Sequence, residues 1–232
     1  MRALQLVERG KPLELREVSH PALADDDVMV AVTAAGICRS DVHYRAGFPR
    51  VGPLPLTLGH EVAGVVAAAG PAVRGLRAGD RVCVHYQVGC GTCDYCGRGF
   101  EQFCAAGKMI GNSRPGGYAD RIAVPARNIV AVPDEVSLEH AAVMMCSSAT
   151  SLHALRKGRT GAGDRVAVFG AGGLGMSAIQ LALLEGASVV YAIDLNGDKL
   201  DKAASLGAEP IAATNDPVEI LRRSGGVDVA LD

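Results

Sequence analysis

The sequence predicts an α/β fold in two parts, a small barrel of antiparallel strands followed by a parallel, doubly wound sheet. Three observations carry that prediction. Short apolar runs broken by Pro, Gly and Asp fill the chain from Ala3 to Val132, the pattern of many short strands joined by turns. From Arg165 onward, strand-like apolar runs alternate with helical ones, which is how parallel strands with crossover helices read. Between the first of these strands and its helix stand Gly170, Gly172 and Gly175, at the spacing of a tight strand-to-helix turn.

Composition sets the outer limits. The 232 residues are 49% hydrophobic and 21% charged, which places the chain among globular proteins of one large or two small domains. With no Trp and 4% aromatics, the core must be built from Ala, Val and Leu, while 29 glycines imply many turns. A net charge of −2 without a basic block gives no footprint for nucleic acid or an anionic membrane. Residues 166–184 carry no charge, but four glycines and a central turn interrupt them, against a membrane span. Arg2, Glu8 and Arg9 leave too short an apolar run at the start for a secretory signal, so a cytoplasmic location is expected. Seven cysteines in a reducing compartment then read as metal ligands or thiols rather than disulfides.

The barrel half opens with strands at residues 3–7, 13–18 and 28–34, separated by Gly10-Lys11-Pro12 and by the Pro- and Asp-rich stretch 21–27. Further strands follow at 61–68, 81–85, 118–124 and 128–132. From Ser137, a residue type that caps helix N-termini, the pattern is helical to about residue 155. The charged, glycine-rich connector KGRTGAGD over 157–164 then marks a boundary between domains 1–156 and 157–232.

In the second domain, residues 165–169 are β-branched and apolar enough for a buried parallel strand. Gly170 allows the turn, Gly172 lets a pyrophosphate approach the backbone, and Gly175 lets the helix lie close on the strand. The helix start, with Gly173 and Leu174, offers free N–H groups to phosphates. Gly175, Ala178, Ile179, Ala182 and Gly186 form a stripe of small residues for packing on the sheet. Asp194 ends the next strand, where its carboxylate can accept hydrogen bonds from a ribose diol and repel a 2′-phosphate. This favours NAD over NADP; Lys199 is the nearest cation downstream and completes the expected cofactor set. A helix at 197–206, a strand at 210–213, a helix at 217–224 and a strand at 227–231 follow. About four parallel strands stand where a full dinucleotide fold has six, so the sheet is expected to be incomplete.

Cys90, Cys93, Cys96 and Cys104 lie in a loop with five glycines between Gly89 and Gly107, short enough to wrap four thiolates around one tetrahedral zinc. Four sulfurs leave no open position, so such a site is structural. An iron–sulfur cluster is the competing reading. Cys83, outside that spacing in a strand-like run, reads as a small buried apolar residue.

A second constellation is scattered: Cys38 in GICRSDVHYRAG, His60 and Glu61 in LGHEVAG, and Cys146 in VMMCSSAT. With Ser40, Asp41 and His43 beside Cys38, with Gly59, Gly64 and Gly70 around His60, and with the four-cysteine loop and the glycine turn, the chain resembles the zinc-dependent medium-chain alcohol dehydrogenases. Order and spacing agree from end to end. The resemblance implies a GroES-like β-barrel catalytic domain followed by a Rossmann sheet, and hydride transfer between an alcohol, or its aldehyde or ketone, and NAD. It implies that Cys38, His60 and Cys146 bind a catalytic zinc, with Glu61 a nearby exchangeable carboxylate and Asp41 orienting His60. It implies that Ser40 takes the alcohol proton and His43 passes it on, that Arg39 pairs with the cofactor pyrophosphate and that Thr150 touches the nicotinamide. His20, His85, His140 and His153 match no family position and read as structural. Family members form homo-oligomers through strands that this chain lacks, so pairing is not expected of it. Two other readings stand beside the enzyme: a truncated, catalytically incompetent fragment that holds zinc and nucleotide, and a zinc-free quinone reductase relative, which the seven cysteines oppose. Fold does not choose the substrate.

Overall fold

A computed structural model describes all 232 residues, Met1–Asp232, and the chain divides into two compact units, Met1–Cys146 and Ser147–Asp232. The division falls before the connector at 157–164, because the helix Ala149–Lys157 belongs to the second unit. Its Leu155 is buried in one core with Val166, Val168, Ile179 and Val190.

In the first unit, a five-stranded antiparallel sheet runs in the order Ile129–Ala131, Arg81–Val84, Glu61–Ala69, Asp27–Gly36, Arg121–Pro125. Its core is a set of β-branched side chains, among them Val28, Val30, Val62, Val66, Val82 and Ile122. Each contributes roughly 1.5–3 kcal/mol by leaving water. The register between the two central strands slips at Met29/Val30 and again at Val32/Ala34, and such bulges curl a sheet. A second sheet, Glu14–Glu17, Arg2–Leu6 and Leu56–Thr57, is joined to the chain before Arg121 where Leu4 N donates to Tyr118 O at 2.7 Å. The result is the curled antiparallel barrel that the strand spacing predicts.

The expected strand at 118–124 begins only at Arg121. Ahead of it, Gly116, Gly117 and Tyr118 donate their N–H groups to Thr57, Gly59 and Leu58, so the chain there is fastened to a different segment. The helix Arg39–Ala46 and the short pair Gln87–Val88 with Lys108–Met109 carry no signal in the pattern. That helix buries only Asp41 and Tyr44, too few residues to print an apolar periodicity. Ser137 does cap its helix, accepting from His140 N at 3.2 Å. The stretch that follows is three pieces rather than one: Leu138–Val143, a π-helical turn at Met144–Ser148, and Ala149–Lys157.

The second unit is a parallel sheet in the order Glu209–Ala212, Val189–Asp194, Arg165–Phe169, Val229–Leu231, with helices at Gly173–Leu184, Gly197–Ser205 and Pro217–Arg223. The first helix buries Gly175, Ala178, Ile179 and Ala182, as its stripe predicts. Gly186 is not part of that stripe. It lies beyond the helix at φ 91°, a left-handed residue that closes the helix and turns the chain toward the next strand. No helix in the chain is long and apolar enough to cross a membrane.

Candidate metal and nucleotide sites

Three segments of the first unit bring Cys38, His60, Glu61 and Cys146 together. Cys38 precedes the helix Arg39–Ala46, where Asp41 Oδ2 accepts its backbone N–H at 3.0 Å and so fixes the turn. Glu61 opens the central strand and His60 immediately precedes it, just after Gly59, whose φ of 91° makes the bend. Cys146 lies inside the π-helical turn, where one extra residue re-aims the side chains of the turn. The four donor groups lie within 4.8 Å of one another, and Cys38 Sγ is 3.9 Å from Cys146 Sγ. Two thiolates on one tetrahedral ion at about 2.3 Å would stand about 3.8 Å apart. The strand end makes room for the carboxylate: a Cβ at Gly36 would collide with Glu61 Oε2.

Charge argues the same way. His60, Glu61 and Cys146 are buried, with Cys38 half-buried. Hydrogen bonding from the Cys146 thiol, and then from His60, holds the Cys38 thiol down at about 3. That bond to the Cys38 thiolate, with burial, drives the Cys146 thiol far upward. Burial opposes charge on His60, but Asp41 and Cys38 outweigh it and push the imidazole up to about 9. Burial, then the charge on Cys38, raises Glu61. Such a crowd of soft and acidic groups around one imidazole is what a bound divalent cation would neutralise.

Asp41, 5% exposed, stands behind the cluster. Its Oδ2 accepts from Cys38 N and from the Tyr118 hydroxyl at 2.9 Å, and its Oδ1 from Gly59 N at 3.3 Å. His60 Nδ1 has no hydrogen bond but lies 3.5 Å from Oδ1, within ion-pair reach. A carboxylate there favours the proton on Nδ1 and leaves Nε2 as the free donor. On the same helix, Ser40 Oγ lies 3.7 Å from Cys38 Sγ, while Arg39 and His43 are exposed.

The four-cysteine loop forms a second cluster, again with every sulfur within 4.8 Å of the others and Cys90 Sγ 3.9 Å from Cys96 Sγ. These separations fit the edges of one tetrahedral ion, and sulfurs this close leave no room between them for a multi-iron cluster. Backbone N–H groups aim at the thiols: Cys93 N donates to Cys90 Sγ at 3.4 Å, and Cys90 N to Cys104 Sγ at 3.3 Å. Bonds from the Thr92 backbone and hydroxyl, and from Cys93, hold Cys90 down at about 5. Burial and the neighbouring thiols push Cys96 up to about 11 against a bond from the Gly91 backbone. Gly89 is cut to the cluster, since a Cβ there would stand 2.6 Å from Cys96 Sγ. Arg127 donates to Gly89 O, and buried Asn128 donates to His85 O at 2.8 Å and Gln87 O at 2.7 Å. Sequence reading missed Arg127, Asn128 and Tyr118, because each acts on a group far away in the chain: Arg127 and Asn128 on backbone carbonyls, Tyr118 on the Asp41 carboxylate. Cys83 is buried, as expected, and burial raises its thiol.

In the second unit, Gly170 turns the chain at φ 92°. An added Cβ at Gly175 would stand 1.9 Å from Gly170 O, whereas nothing lies within 4 Å of one at Gly172 or Gly173. The third glycine therefore serves packing, and the other two leave open space over the helix start. Asp194 accepts from Ala171 N at 2.8 Å and from Asn196 N at 2.9 Å; these bonds, the Asn196 one foremost, keep its carboxyl below the usual range. Lys199 Nζ is 3.5 Å from Asp194 Oδ2. Thr150, with Gly170 and exposed Leu174, borders a cavity of about 170 Å³.

Comparison with known proteins yields two family profiles, the alcohol dehydrogenase GroES-like domain over residues 24–134 and the zinc-binding dehydrogenase over residues 173–232. An alcohol dehydrogenase of Geobacillus stearothermophilus is 40% identical over 211 residues, covering 90% of this chain and 62% of that protein. An NAD-dependent alcohol dehydrogenase of Sulfurisphaera tokodaii is 36% identical, covering all of this chain and 71% of that one. The crystal structure of the alcohol dehydrogenase from Aeropyrum pernix superposes with a TM-score of 0.91 at 34% identity, over 100% of this chain and 71% of that one. The chain thus spans between 62% and 71% of the length of these proteins.

Proposed function

The chain belongs to the zinc-dependent medium-chain alcohol dehydrogenase family, and on that premise we propose that it moves a hydride between an alcohol, or the matching aldehyde or ketone, and NAD. The observation that carries this reading is the meeting of Cys38, His60 and Cys146, with two sulfurs 3.9 Å apart. In this reading those three side chains hold one zinc and Cys90, Cys93, Cys96 and Cys104 hold another. Zinc would supply Lewis acidity toward a hydroxyl oxygen and the nicotinamide would supply the hydride acceptor.

The remaining work falls to the chain itself. Asp41 keeps the His60 ring turned so that its free nitrogen serves as a ligand. Glu61 is a carboxylate in reserve beside the three ligands. Ser40, next to Cys38, takes the alcohol proton, and exposed His43 releases it to solvent. Arg39 is assigned to the cofactor pyrophosphate and Thr150 to the nicotinamide. Asp194, its carboxyl held ionised, receives the ribose diol, with Lys199 beside it, and the N–H groups at Gly172, Gly173 and Leu174 receive the phosphates. A cytoplasmic location is part of the proposal, because thiolate ligands persist in a reducing compartment.

Metal analysis combined with an alcohol panel read by NAD reduction tests the proposal. Two zinc ions per chain with turnover on at least one alcohol are expected, and Cys38→Ser should abolish turnover while NAD still binds. Turnover that survives Cys38→Ser removes the first zinc from the mechanism. Since the chain spans 62% to 71% of its relatives' length, two bound zinc ions without turnover on any alcohol would instead favour a zinc- and nucleotide-binding module.

A further inference from the structure

The hydroxyl of Tyr118 belongs to no assigned role, and its surroundings are unusual. It lies 2.9 Å from Asp41 Oδ2 and 3.1 Å from Gly36 O. A phenol has one proton to give, so it donates to the carboxylate, the stronger acceptor, while Gly36 O stands by as a neighbour. Below the hydroxyl, the Tyr118 ring presses on the backbone of Gly59, where an added Cβ would collide with the ring. Tyr118 therefore touches two of the three segments that deliver the ligands, those of Cys38 and His60, without touching a ligand. It reaches Cys38 through Asp41, which accepts the Cys38 N–H; it reaches His60 through Gly59; and it reaches Glu61 through Gly36, the residue packed against that carboxylate.

We propose that Tyr118 is a positioning residue of the Cys38–His60–Cys146 centre, acting by fixing the carboxylate of Asp41. The inference rests on the reading of that cluster as a metal centre. Asp41 Oδ2 has two donors, Cys38 N and Tyr118 Oη. Without the phenol, one backbone N–H is left to hold that oxygen, and the carboxylate can swing away from His60 Nδ1, 3.5 Å from Oδ1. An imidazole that loses the carboxylate behind it becomes a poorer and less oriented donor. The ring itself is a separate matter: Phe keeps the contact with Gly59 and removes only the hydroxyl.

Tyr118→Phe in the whole chain isolates the effect, because the four-cysteine cluster supplies an internal reference in the same molecule. Zinc affinity at each centre is measured by competition with a chromogenic chelator. The variant should hold zinc at the three-ligand centre about 10–100-fold more weakly, the range for loss of an outer-shell partner, with affinity at the four-cysteine centre unchanged. In an Asp41→Asn background the same substitution should add little, since its route is gone. Equal affinity in variant and parent overturns the proposal, as does an equal loss at both centres, which would mean general loosening of the fold. A parent chain that takes up only the four-cysteine equivalent overturns the reading of the centre and this proposal together, and is told apart from the other failures by the parent alone.

Discussion

Replacing Gly175 by Ala puts one methyl group where the structure has none to spare. The added carbon would stand 1.9 Å from Gly170 O, and real Cβ contacts almost never fall below 3.0 Å, so the helix and the turn must part by about 1.1 Å, the difference between the two. Neither side yields easily. Gly170 is held at φ 92° with its N–H bonded to Ile193 O, and the helix Gly173–Leu184 is seated by Ala178, Ile179 and Ala182. Overpacking of this kind costs about 1–3 kcal/mol, at roughly 4–8 °C of melting temperature per kcal/mol for a unit of this size. The displaced helix start also carries its N–H groups away from the phosphates, and a shift of about 1 Å can cost on the order of 100-fold in a positioned site. Gly172→Ala is the control: its Cβ meets nothing and its φ of −83° suits any residue, so it should leave melting unchanged and weaken the nucleotide by crowding it alone. Calorimetric melting with NAD titration reads both. A Gly175→Ala protein that melts with its parent would refute the packing argument.

Three further outcomes follow from the geometry. Gly89→Ala places a carbon 2.6 Å from Cys96 Sγ, so zinc content should fall from two toward one per chain with the three-ligand centre still loaded; two tightly held ions would refute the fit of the loop. The parent should bind NAD well ahead of NADP. Asp194→Gly should erase that preference and weaken both cofactors, because it also frees Ala171 N and Asn196 N; equal parent affinities by fluorescence titration would contradict the cofactor choice. In the metal-free chain Cys38 is already a thiolate, its thiol held at about 3, while His60, pushed up to about 9, carries a proton at neutral pH. An incoming cation must displace that proton and the one on Cys146, whose thiol is driven far upward, so affinity at this centre should climb as pH rises across neutrality and through about 9. The same raised value stabilises the metal-free fold fully below the ordinary imidazole value of 6.5, and that contribution is lost as pH passes through about 9. Affinity that stays flat across this window, by chelator competition, would count against His60 and Cys146 together as ligands of one cation.

What the residues determined alone was local. The glycine turn, the helix stripe up to Ala182, Asp194 and the four-cysteine loop each need only a short span of chain, so their local geometry was legible in the spacing before any fold was known. The scattered cluster was different. Cys38 and Cys146 are 108 positions apart and Tyr118 and Asp41 are 77 apart, and no periodicity in the residues between them encodes such a meeting; only resemblance to a family pointed to this cluster, and nothing pointed to Tyr118. Tertiary structure decided it through backbone groups that carry no sequence signature: the strand register that ends at Gly36 beside Glu61, the bend at Gly59, the π-helical turn around Cys146, and the N–H groups of Cys38 and Gly59 that hold Asp41 in place. Most buried donors and acceptors pair wherever the chain brings them, and for Asp41 that pairing is set by the packed barrel rather than by any one stretch of it.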